Sequence, residues 1–162
     1  MRSYVESNLM WNIDASYEDL AHDFLNHYYK NVSPQLTRIY EMIRDRYAYY
    51  QTLVQQSSGS ISGDLRNPNL YPYSLVRQLD NLIHEAFDVI EELRATDPDL
   101  ANTLYERTVK EYLSVIYLKM MLYRSNYSED EVNEMINTFT YYTQYFGITH
   151  SDEGKPIEGI FD

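Results

Sequence analysis

Apolar residues recur at intervals of three and four along most of this chain, which is the spacing of one face of an α-helix. Four long stripes of this kind cover residues 36–54, 76–93, 100–120 and 132–146. Leu20, Phe24 and Tyr28 form a shorter stripe at spacing four. No strand-like alternation and no internal repeat is present. The pattern therefore predicts an all-α fold, a bundle of four to five main helices.

Capping residues predict where these helices begin and end. Serine or aspartate is expected at an N-cap, because its side chain accepts a hydrogen bond from an otherwise unpaired backbone N–H. The predicted N-caps are Ser16, Ser33, Asp97 and Ser128. Pro34 and Pro98 follow two of them, where the missing N–H of proline costs nothing. Gly147 is a natural stop for the last helix.

Two segments lack a helical pattern. Residues 55–73 form a long polar loop, and a loop of this length is usually functional or mobile. A docking loop or lid and a solvated linker both fit it. The tail over residues 148–162 is predicted to be irregular, since it holds two glycines and a proline.

The composition is that of a globular protein with an unusual number of tyrosines. Hydrophobic residues make up 44% of the chain and charged residues 23%, and there are 18 tyrosines. A tyrosine buries a large ring but needs a partner for its hydroxyl, so it suits half-buried positions. Such positions occur against another domain, along a groove for polar ligands, or at the wet rim of an amphipathic helix. The last of these is the simplest interpretation.

The formal net charge of −12 disfavours nucleic acid and anionic membrane surfaces as partners. The absence of cysteine excludes disulfides and thiolate chemistry. No apolar stretch approaches the ~20 residues that span a bilayer, and the first residues lack the apolar core of a signal peptide. We therefore expect a soluble chain, and its compartment is left open.

No residue pattern indicates catalysis. The nearest approach to a di-metal carboxylate site is Asp19 and His22 with His84, Glu85 and Glu111, but no Glu-x-x-His motif occurs. The acidic residues fall at helix ends and solvent-facing positions, no nucleophile motif is present, and no glycine-rich phosphate loop occurs. We predict no catalytic residue, no metal site and no cofactor, and hence no enzymatic activity for this chain alone.

Three aromatic residues are the candidate ligand-binding site. Trp11, Tyr28 and Tyr29 could stack against sugar rings, because carbohydrate sites combine flat aromatic faces with polar groups. Neighbouring helical positions lie about 100° apart, so Tyr28 and Tyr29 cannot both face one core. One of them is expected at a boundary. Packing in a core or against another domain is the alternative role for Trp11.

Several short segments resemble a family of glycoside-hydrolase-like bacterial proteins. The first are Leu9-Met10-Trp11-Asn12, Tyr17-Glu18-Asp19-Leu20, Asp23-Phe24 and Tyr28-Tyr29. Later ones are Tyr71-Pro72-Tyr73-Ser74, His84-Glu85-Ala86, Asp97-Pro98 and Gly147-Ile148-Thr149-His150. Together they resemble the family called domain of unknown function 4838, which is distantly similar to alpha-glucuronidases and beta-hexosaminidases.

The resemblance implies a domain organisation and partners. It makes residues 1–12 the end of a preceding (β/α)8 barrel and residues 13–162 a single helical-bundle domain. The active site of such a barrel lies at the C-terminal ends of its strands, so the family's catalytic acids have no positions here.

The expected role is that of a non-catalytic accessory domain in interdomain packing, cleft shaping or dimerisation. Candidate partners are the preceding barrel, carbohydrate and a second copy of the chain. The alternative is a stand-alone helical protein–protein interaction module. The accessory role predicts an exposed apolar patch around Trp11, Tyr4 and Leu9.

Overall fold

A computed structural model describes residues 1–54, 67–152 and 154–161, and this part of the chain is almost entirely helical. The helices are α1 (Arg2–Trp11), α2 (Tyr17–Tyr29), α3 (Ser33–Val54), α4 (Tyr73–Arg94), α5 (Pro98–Tyr123) and α6 (Glu129–Tyr145). Short 3-10 helices, Lys30–Val32 and Arg124–Asn126, precede α3 and α6. The all-α fold class is confirmed. Residues 55–66 of the predicted long loop lie outside the described residues.

Three of the four predicted capping residues cap the helices that they precede. The hydroxyl of Ser16 accepts from the backbone N–H of Asp19. Asp97 accepts from the N–H of Leu100 at 3.0 Å. Ser128 and Glu131 form a complete capping box at the start of α6. These side chains satisfy N–H groups that have no partner inside the helix.

The start of α3 differs from the expectation. Ser33 has helical backbone angles, with φ −58° and ψ −34°, instead of the extended conformation of an N-cap. The chain turns earlier, at Lys30, whose φ of 46° lies in the left-handed region. The 3-10 helix that follows leads directly into α3, so Ser33 continues a helix.

The chain forms two compact units, each with its own buried residues. Unit 1 comprises Met1–Asp45 and Asn81–Thr108, and unit 2 comprises Arg46–Asp80 and Val109–Asp162. In unit 1, Val5 of α1 is fully buried, as are Ile83, Ala86 and Ile90 of α4. These three α4 residues belong to the predicted stripe. The assignment of residues 1–12 to a preceding domain stays a prediction.

The best-defined core of unit 2 is an apolar cluster, here called the C-terminal cluster. Its buried members are Leu113, Ile116, Met120, Val132, Met135, Phe139 and Phe161. Phe161 comes from the tail, and its ring meets Phe139 edge-on at 4.8 Å. The tail therefore takes part in the core of this unit.

The tail also carries a small antiparallel sheet. Strands β1 (His150–Asp152) and β2 (Lys155–Pro156) pair His150 with Pro156 and Asp152 with Lys155, with an irregular register. Gly147 ends α6 as predicted, with a φ of 65° that a side chain would disfavour. Among the described residues, no helix combines the length and the apolar character needed to cross a membrane.

Candidate functional site

Trp11, the first predicted ligand-binding residue, is the last residue of α1 and is 92% exposed. Its large apolar neighbours are exposed too: Met10 by 82% and Ile13 by 86%, with Tyr17 at 48%. We call Met10, Trp11, Ile13 and Tyr17 the N-terminal patch. Isolated exposed apolar residues are common, but several within one short stretch usually mark an interaction site.

A hydrogen-bonded turn holds the patch between α1 and α2. Asn12 leaves the helix with extended backbone angles, and its N–H still bonds to the carbonyl of Asn8. Its side-chain oxygen accepts from the N–H of Asp14 at 3.2 Å, and its carbonyl accepts from the N–H of Ala15. Ser16 then caps α2. The patch is therefore displayed on a structured turn.

Side-chain contacts between α1 and α2 hold the two helices on either side of the turn together. Val5 is completely buried, and the Tyr4 hydroxyl donates to the Asp23 carboxylate at 2.5 Å. This hydrogen bond raises the pKa of Tyr4 above its ordinary value. The Tyr4 ring also lies 5.6 Å from Phe24. Tyr4 is 37% exposed and Leu9 is half-buried, so both are more covered than Trp11.

Tyr28 and Tyr29, the other two predicted site residues, are covered by unit 1. Tyr29 is only 5% exposed, while Tyr28 is half-buried, in keeping with their 100° separation. The Tyr28 ring stacks on Phe24 at 5.1 Å, and the guanidinium carbon of Arg107 lies 4.1 Å from its centroid. Phe24 and Arg107 thus both pack against the Tyr28 ring.

Tyr28 is tied to Arg107 by its backbone as well, because the guanidinium donates to the Tyr28 carbonyl oxygen. A stacking face for a sugar must be open to solvent. Tyr29 is only 5% exposed and Tyr28 is half-buried, whereas Trp11 is 92% exposed. Ligand binding by the three residues stays a prediction, and the exposure of Trp11 makes it the member able to meet a partner.

Unit 2 contains a buried ion pair that the sequence did not indicate. The ammonium of Lys119, a residue only 7% exposed, lies 2.9 Å from the carboxylate of Asp80. The same ammonium lies 5.0 Å from the centroid of the Tyr127 ring. Burial raises the pKa of Tyr127, with smaller contributions from Tyr73 and Asp80. Burial likewise raises the pKa of Tyr112 to about 12.

This pair is best explained as structural. A buried lysine needs an anionic partner, and removing one member of such a pair is strongly destabilising. Tyr112 and Tyr127 stay protonated near neutral pH, so they do not supply a base. No group of three histidine, aspartate or glutamate side chains in the described part of the chain is placed to hold a metal ion.

Comparisons with known proteins do not assign the chain. No family model, curated protein or solved structure matches it. The resemblance to glycoside-hydrolase-like proteins therefore stays a prediction. One feature of the sequence could have indicated more of the patch. Ile13 is an apolar residue in the polar break between two predicted helices, where no neighbouring helical residue can cover it.

Proposed function

We propose that this chain is a non-catalytic helical accessory module of a carbohydrate-active protein, and that the N-terminal patch docks on a neighbouring domain. The observation that carries the docking proposal is the exposure of Met10, Trp11 and Ile13, each above 80%. The neighbouring domain is the preceding barrel that the resemblance implies. The carbohydrate-active context rests on the resemblance alone.

The N-terminal patch gains stabilisation when a partner surface covers it. Fully burying one large apolar side chain stabilises a structure by about 1.5–3 kcal/mol. In this chain, Met10, Trp11 and Ile13 obtain almost none of that stabilisation. A partner surface that covers them would supply it. Tryptophan and methionine are also enriched at the centres of protein interfaces.

The geometry favours docking because the patch needs little ordering. The turn between α1 and α2 is held by hydrogen bonds that Asn12 accepts from Asp14 and Ala15, and by the cap at Ser16. Val5 is completely buried and so fixes α1 to the rest of unit 1. A surface that is already in its bound conformation loses less conformational entropy on association, which strengthens binding.

The test uses the remainder of the source protein, produced separately from this chain. Isothermal titration calorimetry should detect binding between the two. Trp11→Ser with Ile13→Ser should weaken that binding by at least about 30-fold, as expected for loss of a central interface residue. Tyr141→Ser with Tyr145→Ser is the matched control, since these two residues are also exposed, by 61% and 57%.

Two results would overturn the proposal. The first is binding that the Trp11 and Ile13 substitutions leave unchanged. The second is a source reading frame that encodes nothing but this chain, which would favour a stand-alone interaction module. Circular dichroism of both double variants checks that they fold.

A further inference from the structure

A half-open cavity of about 500 Å³ lies in unit 2 between α6 and the C-terminal tail. Ile136 and Phe139 of α6 line it on one side, and Ile157, Ile160 and Phe161 of the tail line it on the other. Its volume is within the range of small-molecule sites, which are typically ~300–1,000 Å³. Neither the N-terminal patch nor the proposed docking uses this cavity.

Hydrogen bonds at both ends of the tail hold the tail wall of the cavity in place. Next to α6, the N–H of Ile148 donates to the carbonyl of Thr143 at 2.8 Å. At the far end, the Arg124 guanidinium donates to the carbonyl of Phe161 at 2.7 Å. The Phe161 ring also packs edge-on against Phe139. The cavity is thus formed before any ligand arrives, which lowers the cost of binding.

The lining combines apolar side chains with five polar ones, Thr140, Thr143, Gln144, Thr149 and Glu158. The Thr143 hydroxyl is already engaged, since it donates to the backbone carbonyls of its own helix, 2.8 Å from that of Phe139. Among the lining residues that the structure describes, Glu158 is the single charged one, and none is cationic. Glu158 is exposed to solvent.

The geometry points to a binding site for a small organic ammonium ion with an apolar body. The apolar body fits among the isoleucine and phenylalanine side chains, and the ammonium group reaches Glu158. The net charge of −12 raises the local concentration of cations around the chain. An anionic ligand would meet a carboxylate and no compensating positive charge.

The experiment compares three probes of similar size: benzyltrimethylammonium, benzyl alcohol and benzoate. Each is titrated into the full chain, and binding is followed by the amide chemical shifts in two-dimensional NMR spectra. The ammonium should bind most tightly and benzoate most weakly. The shifts should be confined to residues 136–161.

Glu158→Gln should weaken the ammonium probe by about threefold, the typical strength of one exposed charge pair, and should leave benzyl alcohol unchanged. Glu92→Gln removes the same charge from an exposed position in unit 1 and should change nothing. The inference is overturned if benzoate binds as well as the ammonium, or if no probe shifts the residues that line the cavity. It is also overturned if both glutamate variants have the same effect.

Discussion

The N-terminal patch and the C-terminal cluster are built from the same kinds of side chain but differ in what covers them. Trp11 is 92% exposed, whereas Phe139 is 5% exposed and has Phe161 against its ring. Phe139 lies within a long helix whose apolar stripe faces other stripes. Trp11 lies at the last position of a short helix, where the backbone turns away at Asn12. An aromatic residue thus stabilises this chain only where another helix or segment of the chain packs against its ring.

This difference predicts very unequal effects on stability, and the largest concerns the C-terminal cluster. Phe139→Ala should lower the free energy of unfolding by about 3–5 kcal/mol, because it removes a buried ring that packs against Phe161. Trp11→Ala should change the same quantity by no more than about 0.5 kcal/mol, as for other exposed positions. Guanidinium unfolding followed by circular dichroism measures both. Comparable losses for the two variants would remove the contrast between the regions.

Arg107 packs on an aromatic residue of unit 1, Tyr28. Arg107→Ala removes both the guanidinium over Tyr28 and its hydrogen bond to the Tyr28 carbonyl. The expected loss of unfolding free energy is about 1–2 kcal/mol. Arg77→Ala is the control, because Arg77 is exposed on α4. If both substitutions cost the same, the covering of Tyr28 by Arg107 has no energetic importance.

The capping box at the start of α6 stabilises the helix that carries part of the C-terminal cluster. Ser128→Ala should cost about 1 kcal/mol, since it removes the hydroxyl that caps Glu131. Ser125→Ala, three positions earlier and also exposed, should cost much less. Thermal unfolding of the two variants side by side distinguishes them. Equal shifts in Tm would mean that the cap does not stabilise α6.

The same capping box predicts a pH dependence. Hydrogen bonds from the Ser128 side chain and backbone lower the pKa of Glu131 below its ordinary value of 4.5. A carboxyl group whose pKa is lower in the folded state stabilises that state above the unfolded pKa, and this stabilisation is lost as the pH falls through the folded pKa. Stability should therefore fall below pH 4.5. The fall should be smaller in Ser128→Ala, and a parallel fall in both proteins would contradict the assignment.

The helices could be predicted because their signals are local. Periodicity identified the α4 stripe, and Val76, Leu79 and Ile83 are all buried as expected. Ser128 and Gly147 mark the two ends of α6 through their own side-chain chemistry and backbone freedom. The exception at Ser33 is local as well, since a left-handed turn at Lys30 moves the break upstream.

The long-range side-chain contacts within each unit could not be predicted because they join distant positions. Arg107 covers Tyr28 across 79 positions, and Lys119 meets Asp80 across 39. A lysine in a helix is expected in solvent unless its partner is known. The spacing of apolar residues therefore did not indicate that Lys119 is buried. The resemblance named sugar-processing proteins, but it rests on short segments and stays a prediction.

The central claim is that the N-terminal patch becomes covered by a neighbouring domain. Hydroxyl-radical footprinting with mass spectrometry tests it directly, because Met10 and Trp11 are readily oxidised wherever solvent reaches them. We expect fast oxidation of both residues in this chain alone and strong protection in the full-length source protein. Tyr141 and Tyr145 should react alike in the two samples. Oxidation of Met10 and Trp11 at the same rate in both proteins would show that no neighbouring domain covers the N-terminal patch.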